Sequence, residues 1–191
     1  MGETMSGKRG RRPSPPGISA SDDVESMIRV DHAGEYGAVR IYEGQLAVLG
    51  NRPAAKKTAA AIRKMAAQEQ DHLKAFDKLI NERRVRPTAL APVWHVAGFA
   101  LGAATALTGE KAAMACTAAV EEVIDDHYAS QIARIENDDD LKTRIEGFRA
   151  DEIAHRDEAI ARGAEEAPAY RLLSSAIKTG CRLAIKLSER L

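Results

Sequence analysis

Two tetrapeptides of one form, Glu69-Gln70-Asp71-His72 and Glu152-Ile153-Ala154-His155, lie in long segments rich in alanine and charge. On a helix, residues three apart are surface neighbours with Cβ atoms about 5–6 Å apart, so a carboxylate and an imidazole at that spacing can meet at one point. Each pair also has a counterpart across a break in the chain. Reflecting Glu69 and His72 through Asn51–Pro53 lands close to Glu35, and reflecting Glu152 and His155 through Asn137–Asp140 lands close to Glu121 and Glu122. Residues equidistant from the turn of an antiparallel hairpin sit at the same height. The pattern predicts two helical hairpins, each setting one carboxylate opposite one Glu-x-x-His pair.

The rest of the chain agrees with an all-α fold. Aromatic residues are scarce at 4%, alanine is abundant, and no run of β-branched residues alternates with period two. Helices are expected from Ser19 or Ser21 to Leu49, from Ala54 to Arg84, from Glu110 to Glu136 and from Leu141 to Arg162, with a last one after Pro168. A length of 191 residues fits one domain, and 45% hydrophobic with 29% charged residues is ordinary globular composition. Lys+Arg and Asp+Glu balance at 28 each, which argues against nucleic-acid binding. Cys116 and Cys181 are too few for a disulfide framework or a cysteine-ligated zinc site, and they fit a reducing compartment as small apolar residues.

Residues 1–18 form a basic, Pro/Gly-rich tail expected to be disordered, and 19–191 form the domain. No signal-peptide stretch follows Arg11-Arg12. Pro87–Gly109 carries no formal charge and is long enough to cross a bilayer, but Ala, Gly, Thr, Pro92 and His95 make it an untypical span. The expectation is a crossover helix between the hairpins that rests in or against a membrane. In the last helix, Leu172, Leu173, Ala176, Ile177, Gly180, Ala184, Leu187 and Leu191 make an apolar stripe, bordered by Arg171, Lys178, Arg182, Lys186 and Arg190. That amphipathic, basic pattern suits a membrane surface and an apolar entrance.

Two hairpins packed face to face give four carboxylates and two imidazoles pointing inward, the ligand set of ferritin-like di-iron and di-manganese bundles. Oxygen-rich ligation with one His per metal suits iron or manganese. Glu121 and Glu122 cannot both face inward. His32, three before Glu35, is expected in a supporting role ahead of that of an extra ligand, and Asp71 and Asp151 are candidates either to orient a histidine through its outer nitrogen or to make surface ion pairs. Tyr128 returns to the face of Glu121 seven residues on and is a possible contact for substrate or oxygen; His127 lies off that face. Glu122, Asp125 and Asp126 read as a hydrated face.

Several long segments resemble the demethoxyubiquinone hydroxylase family, the di-iron monooxygenases of coenzyme Q biosynthesis. They are RVDHAGEYGAVRIYEGQLAVLG from Arg29, QEQDHL around Glu69, RPTALAPVWHVAGFALGAATALTG from Arg86, AMACTAAVEEVIDDHYASQI around Glu121, FRADEIAHRDEAI around Glu152, and APAYRLLSSAIKTGCRLAIKLSERL at the close. The resemblance runs from Met27 to Leu191; the stretch Asn51–Thr58 and the acidic pair Asp125-Asp126 depart from it.

The resemblance implies a ferritin-like four-helix bundle with an added apolar crossover helix and a C-terminal amphipathic helix. It implies that Glu35, Glu69, His72, Glu121, Glu152 and His155 bind two iron ions, Glu121 in preference to Glu122, with Glu69 and Glu152 able to bridge them. The implied reaction is O₂-dependent hydroxylation of the ring of demethoxyubiquinol, a 2-methoxy-3-methyl-6-polyprenyl-benzoquinol, with NADH as ultimate reductant. An accessory lipid-binding protein, a homo-oligomer and a peripheral place on the cytoplasmic face of a bacterial membrane (the matrix side of the mitochondrial inner membrane in a eukaryote) are further expectations. The competing readings are an iron-storage or rubrerythrin-like peroxide-detoxifying protein and a metal-free helical scaffold; no cysteine-rich rubredoxin segment is present.

Overall fold

Six α-helices follow one another as α1 (Ala20–Leu49), α2 (Lys56–Arg83), α3 (Ala91–Thr108), α4 (Glu110–Ile132), α5 (Asp139–Ala161) and α6 (Tyr170–Ser188), with no strand among the described residues. The computed structural model describes residues 20–190. The tail expected over 1–18, the caps expected of Ser19 or Ser21, and Leu191 fall outside the described residues or side chains.

Local chemistry explains where the helices stop. The Arg63 guanidinium donates to the carbonyl of Gly50 at 2.7 Å, capping the end of α1 before Pro53 opens a short 3₁₀ turn into α2. Arg84 takes the left-handed conformation at φ 54°, and the Val85 N–H reaches back to the Ile80 carbonyl at 3.0 Å, closing α2. α4 ends at Ile132 rather than at Glu136: the Arg134 and Ile135 N–H groups both donate to the Gln131 carbonyl, at 2.8 and 2.9 Å, and Ile135 is buried in the core. α5 starts two residues before Leu141, since the Asp138 side chain accepts the Leu141 N–H at 3.1 Å and caps the helix. Gly109, at φ 138°, allows α3 and α4 to meet at a sharp corner that an L side chain would strain.

α1 pairs with α2 and α4 with α5, as the turn arithmetic predicts, and the helices form an all-α, ferritin-like bundle. Two apolar clusters fill its ends. One gathers Tyr42, Leu49, Ile62, Met65 and Met114 with the alanines at the start of α4. The other gathers Ile28, Phe76, Leu79, Tyr128, Leu141 and Ile145. Every bundle helix passes from one cluster to the other, so the polar residues between them occupy a layer sealed above and below.

α3 lies along α1 and α6 lies on α4. A Cβ at Gly102 would stand 1.9 Å from the Ile41 carbonyl oxygen, so the two backbones touch where no side chain fits. α3 is long and apolar enough to cross a membrane, yet only 22% of it is buried. Val96 and Leu107 are each 66% exposed and Leu172 of α6 is 74% exposed. Pro92 sits in the first turn of α3, where its missing N–H costs nothing, so it opens the helix rather than interrupting it.

Candidate metal centre

Glu35 of α1, Glu69 and His72 of α2, Glu121 of α4, and Glu152 and His155 of α5 meet in the polar layer, none more than 3% exposed. They form two overlapping groups, Glu35–Glu69–His72–Glu152 and Glu69–Glu121–Glu152–His155, whose donor atoms lie within 4.8 Å of one another. Glu69 and Glu152 belong to both groups. His72 Nδ1 lies 3.2 Å from Glu152 Oε1 and 3.5 Å from Glu35 Oε2. His155 Nδ1 lies 2.9 Å from Glu69 Oε1 and 3.6 Å from Glu152 Oε2. These contacts lack hydrogen-bond geometry: both Nδ1 atoms, Glu35 Oε2, Glu121 Oε2 and all four oxygens of Glu69 and Glu152 are buried without a partner. Unpartnered buried carboxylates are costly unless a cation compensates them, and this donor set fits a pair of iron or manganese ions.

Protonation in the absence of a cation reflects the same crowding. Burial first, and then the neighbouring carboxylates, push Glu69 and Glu121 well above the usual carboxylate range. Burial also raises Glu152, against the pull of His72. Burial alone would lower His72, but the close carboxylates of Glu152 and Glu35 outweigh it and hold its pKa at about 11. For His155 burial prevails and the pKa falls.

Around this centre, α1 and α4 interlock through four crossed pairs. The Tyr128 hydroxyl donates to Glu35 Oε1, and the Tyr42 hydroxyl donates to Glu121 Oε1 at 2.6 Å. Gln131 Nε2 donates to Asp31 Oδ1 at 2.7 Å, and Gln45 Nε2 donates to Thr117 Oγ1 at 3.2 Å. Positions 31, 35, 42 and 45 of α1 thus recur in the same spacing as 117, 121, 128 and 131 of α4. Tyr42, Gln45, Gln131 and Asp31 escaped the sequence reading. The repeated Glu-to-Tyr interval, Glu35 to Tyr42 and Glu121 to Tyr128, was the signal that marks Tyr42.

The other placements decide between the sequence readings or depart from them. Asp71 is exposed and pairs with Lys74 at 2.8 Å, so it orients no histidine. Asp151 does, but across the bundle: its Oδ2 lies 3.1 Å from Nε2 of His72 on α2. His32 Nε2 pairs with Asp77 Oδ1 at 3.0 Å, away from the six. His127 Nε2 lies 3.3 Å from Asp31 Oδ1. Glu122, Asp125 and Asp126 are not merely hydrated. Glu122 pairs with Lys178 at 2.6 Å, Asp125 with Arg149 at 2.6 Å, and Asp126 with Arg182 at 3.6 Å, fastening α4 to α5 and α6.

An apolar groove of about 550 Å³ runs between α1, α3, α4 and α6. Leu101, Ile177, Cys181 and Ile185 line it, together with Gly34 and Ala38 flanking Glu35 along α1 and Val120 and Ile124 flanking Glu121 along α4. Trp94 Nε1 donates to Ser188 Oγ at 3.1 Å and ties α3 to α6 across it.

Residues 22–188 match the family of the ubiquinone biosynthesis protein COQ7. The chain belongs to the COQ7 family. Among its relatives, the 3-demethoxyubiquinol 3-hydroxylase of Rhodospirillum rubrum is 56% identical over 181 residues, covering 94% of this chain and 83% of that one. The human NADPH-dependent 3-demethoxyubiquinone 3-hydroxylase, mitochondrial, is 53% identical over 173 residues, covering 88% and 78%. The 5-demethoxyubiquinone hydroxylase, mitochondrial, of Saccharomyces cerevisiae is 40% identical over 184 residues, with the same shares. The crowded Glu/His layer and the groove lie within the matched residues of the COQ7 family.

Proposed function

We propose that this chain is an O₂-dependent hydroxylase of ubiquinone biosynthesis that acts on the ring of a demethoxyubiquinol through a di-iron centre held by Glu35, Glu69, His72, Glu121, Glu152 and His155. The observation that carries this reading is the pair of overlapping four-residue groups sharing Glu69 and Glu152, buried next to an apolar groove. When bound and reduced, two irons supply the electrons that activate O₂ for insertion into the ring.

The chain's own residues do the rest. Glu69 and Glu152, common to both groups, would be shared between two ions, and Glu35 with His72 and Glu121 with His155 would complete the set for one ion each. Tyr128 and Tyr42 hold one oxygen of Glu35 and of Glu121, leaving the other oxygen free to point inward. The apolar clusters on either side keep bulk water out of the layer. The groove is of ligand-pocket size, where roughly 300–1,000 Å³ is typical. It takes the ring and the first part of the polyprenyl tail, and the remainder runs along the exposed apolar faces of α3 and α6 into a membrane. Those faces, with the basic residues of α6, support a peripheral seat on the membrane surface, the mitochondrial one for relatives so named and the cytoplasmic face in a bacterium. Reducing equivalents come from a reduced nicotinamide, NADH or the NADPH in the names of the animal relatives. A lipid-binding accessory protein that presents the quinol, and a homo-oligomer, complete the proposal. An iron-storage or peroxide-detoxifying protein would leave the groove without an occupant.

Complementation of a ubiquinone-deficient strain tests this reading. Wild type is expected to restore ubiquinone and to carry about two irons per chain. Glu152→Ala is expected to accumulate demethoxyubiquinone. Equal rescue by both would refute the assignment.

A further inference from the structure

The residue that precedes the glutamate of each Glu-x-x-His pair, Gln68 on α2 and Asp151 on α5, turns away from the polar layer toward its outer edge, where Asp151 is 42% exposed. The two side chains meet there, with Gln68 Nε2 donating to Asp151 Oδ1 at 3.3 Å. Each also takes the outer nitrogen of one histidine. Asp151 Oδ2 lies 3.1 Å from His72 Nε2, and Gln68 Oε1 lies 3.3 Å from His155 Nε2. Both histidines then present Nδ1 inward.

We propose that Asp151 and Gln68 form one proton-ordered bridge that fixes the tautomer of both histidines. Counting donors and acceptors along it leaves a single consistent arrangement. A carboxylate only accepts, so His72 must carry its proton on Nε2 to donate to Asp151. The Gln68 amide must turn its NH₂ toward Asp151, which leaves its carbonyl facing His155. His155 must then carry its proton on Nε2 as well. Both Nδ1 lone pairs are thereby free for metal. The order starts at the carboxylate, so Asp151 sets the tautomer of a histidine on its own helix that it does not touch. Asp151 and Gln68 are positioning residues, and their role rests on the metal-centre reading above.

An isosteric change exposes this logic. In Asp151→Asn, the amide at position 151 brings one donor and one acceptor. If its carbonyl faces His72, its NH₂ faces Gln68; the Gln68 amide flips, and His155 meets an NH₂ group and must place its proton on Nδ1. If it turns the other way, His72 suffers the same fate. Either way one imidazole points a proton at the metal. Adding Gln68→Glu repairs the chain: the carboxylate introduced at position 68 accepts from His155 and from the NH₂ of the amide at position 151, and the carbonyl of that amide accepts from His72.

The test uses Co(II) as probe, added to the metal-free full-length chain, with ion stoichiometry, affinity and the hyperfine-shifted exchangeable imidazole N–H resonances as readouts. Wild type is expected to bind two ions and show two such resonances. Asp151→Asn is expected to lose one resonance and weaken one ion by about 10–100-fold, the usual effect of losing an outer partner. The double variant Gln68→Glu/Asp151→Asn is expected to recover both. Two resonances and undiminished affinity in Asp151→Asn, or no recovery in the double variant, would overturn the bridge while leaving the metal centre standing. A wild-type chain that takes up no Co(II) would sink the metal-centre reading, and the bridge with it.

Discussion

Tyr128 donates its hydroxyl to Glu35, on the neighbouring helix, and not to Glu121, the carboxylate seven residues before it on its own. Tyr42 does the reverse, reaching Glu121. Each tyrosine therefore ties one hairpin to the other at the level of the centre. A hydrogen bond to a charged group contributes about 1.5–3 kcal/mol, and both tyrosines are buried, so water cannot replace the lost donor. Tyr128→Phe and Tyr42→Phe should each lower the stability of the iron-loaded protein by that amount in urea unfolding, with the slope against denaturant unchanged.

The shared membership of Glu152 separates it from Glu121. Glu152 and Glu69 serve both groups of donors, whereas Glu121 serves one. Iron analysis after reconstitution should find Glu152→Gln nearly empty, because neither ion keeps a full set. Glu121→Gln should retain close to half the wild-type iron. Equal losses in the two variants would contradict the proposed sharing of Glu152 between two ions.

The meeting of the six side chains was legible because a helix converts sequence spacing into position with little freedom: three residues set the Glu–His contact, and reflection through a turn set its height. Whatever depends on how one helix is rotated against another was not legible. Asp71 and Asp151 look alike in sequence, yet one is exposed beside Lys74 and the other grips His72 on the opposite helix. Gln68 and Tyr42 drew no notice for the same reason, since their targets lie across the bundle. The acids Glu122, Asp125 and Asp126 read as a hydrated face because their cationic partners lie at least 24 residues away, on α5 and α6.

Without metal, the centre should make the protein more stable in mild acid. Glu69, Glu121 and Glu152 have pKa values raised in the folded state, so the folded chain holds more protons than the unfolded one above the ordinary carboxylate pKa. Stability then falls as pH rises above about 4.5. His72, raised from 6.5 to about 11, adds stability that is full below 6.5 and is lost as pH climbs toward 11. His155, lowered, opposes the trend only below its ordinary pKa. Thermal unfolding of chelator-treated protein should show Tm decreasing from pH 6.5 to 8.5. Iron-loaded protein should lack that decline, because its ligands are already deprotonated.

The contact of α3 with α1 admits no added carbon. Gly102→Ala places a methyl group against the Ile41 carbonyl, and the backbone on both sides must move. Overpacking of this kind costs about 3 kcal/mol, which for a chain of this size is a fall of roughly 6–12 °C in Tm. Gly147, with open space around its Cβ position, is the control: Gly147→Ala should raise Tm, since alanine is the better helix former by about 1 kcal/mol.

Gly180 separates stability from substrate binding. It lies within α6, lines the apolar groove, and has nothing within 4 Å of its Cβ position. A Cβ there meets nothing and leucine gains helix propensity, so Gly180→Leu should hold or raise Tm by an amount matching about 0.5–1 kcal/mol. The same side chain occupies groove volume that the proposed seat of the quinol tail needs. KM for a long-tailed demethoxyubiquinol should rise by about tenfold or more, equivalent to about 1.4 kcal/mol of lost binding, with iron content unchanged. A short-tailed analogue should be affected less. If KM for both substrates stays at the wild-type value, the tail runs elsewhere, and the exposed apolar faces of α3 and α6 lose their link to the groove between them.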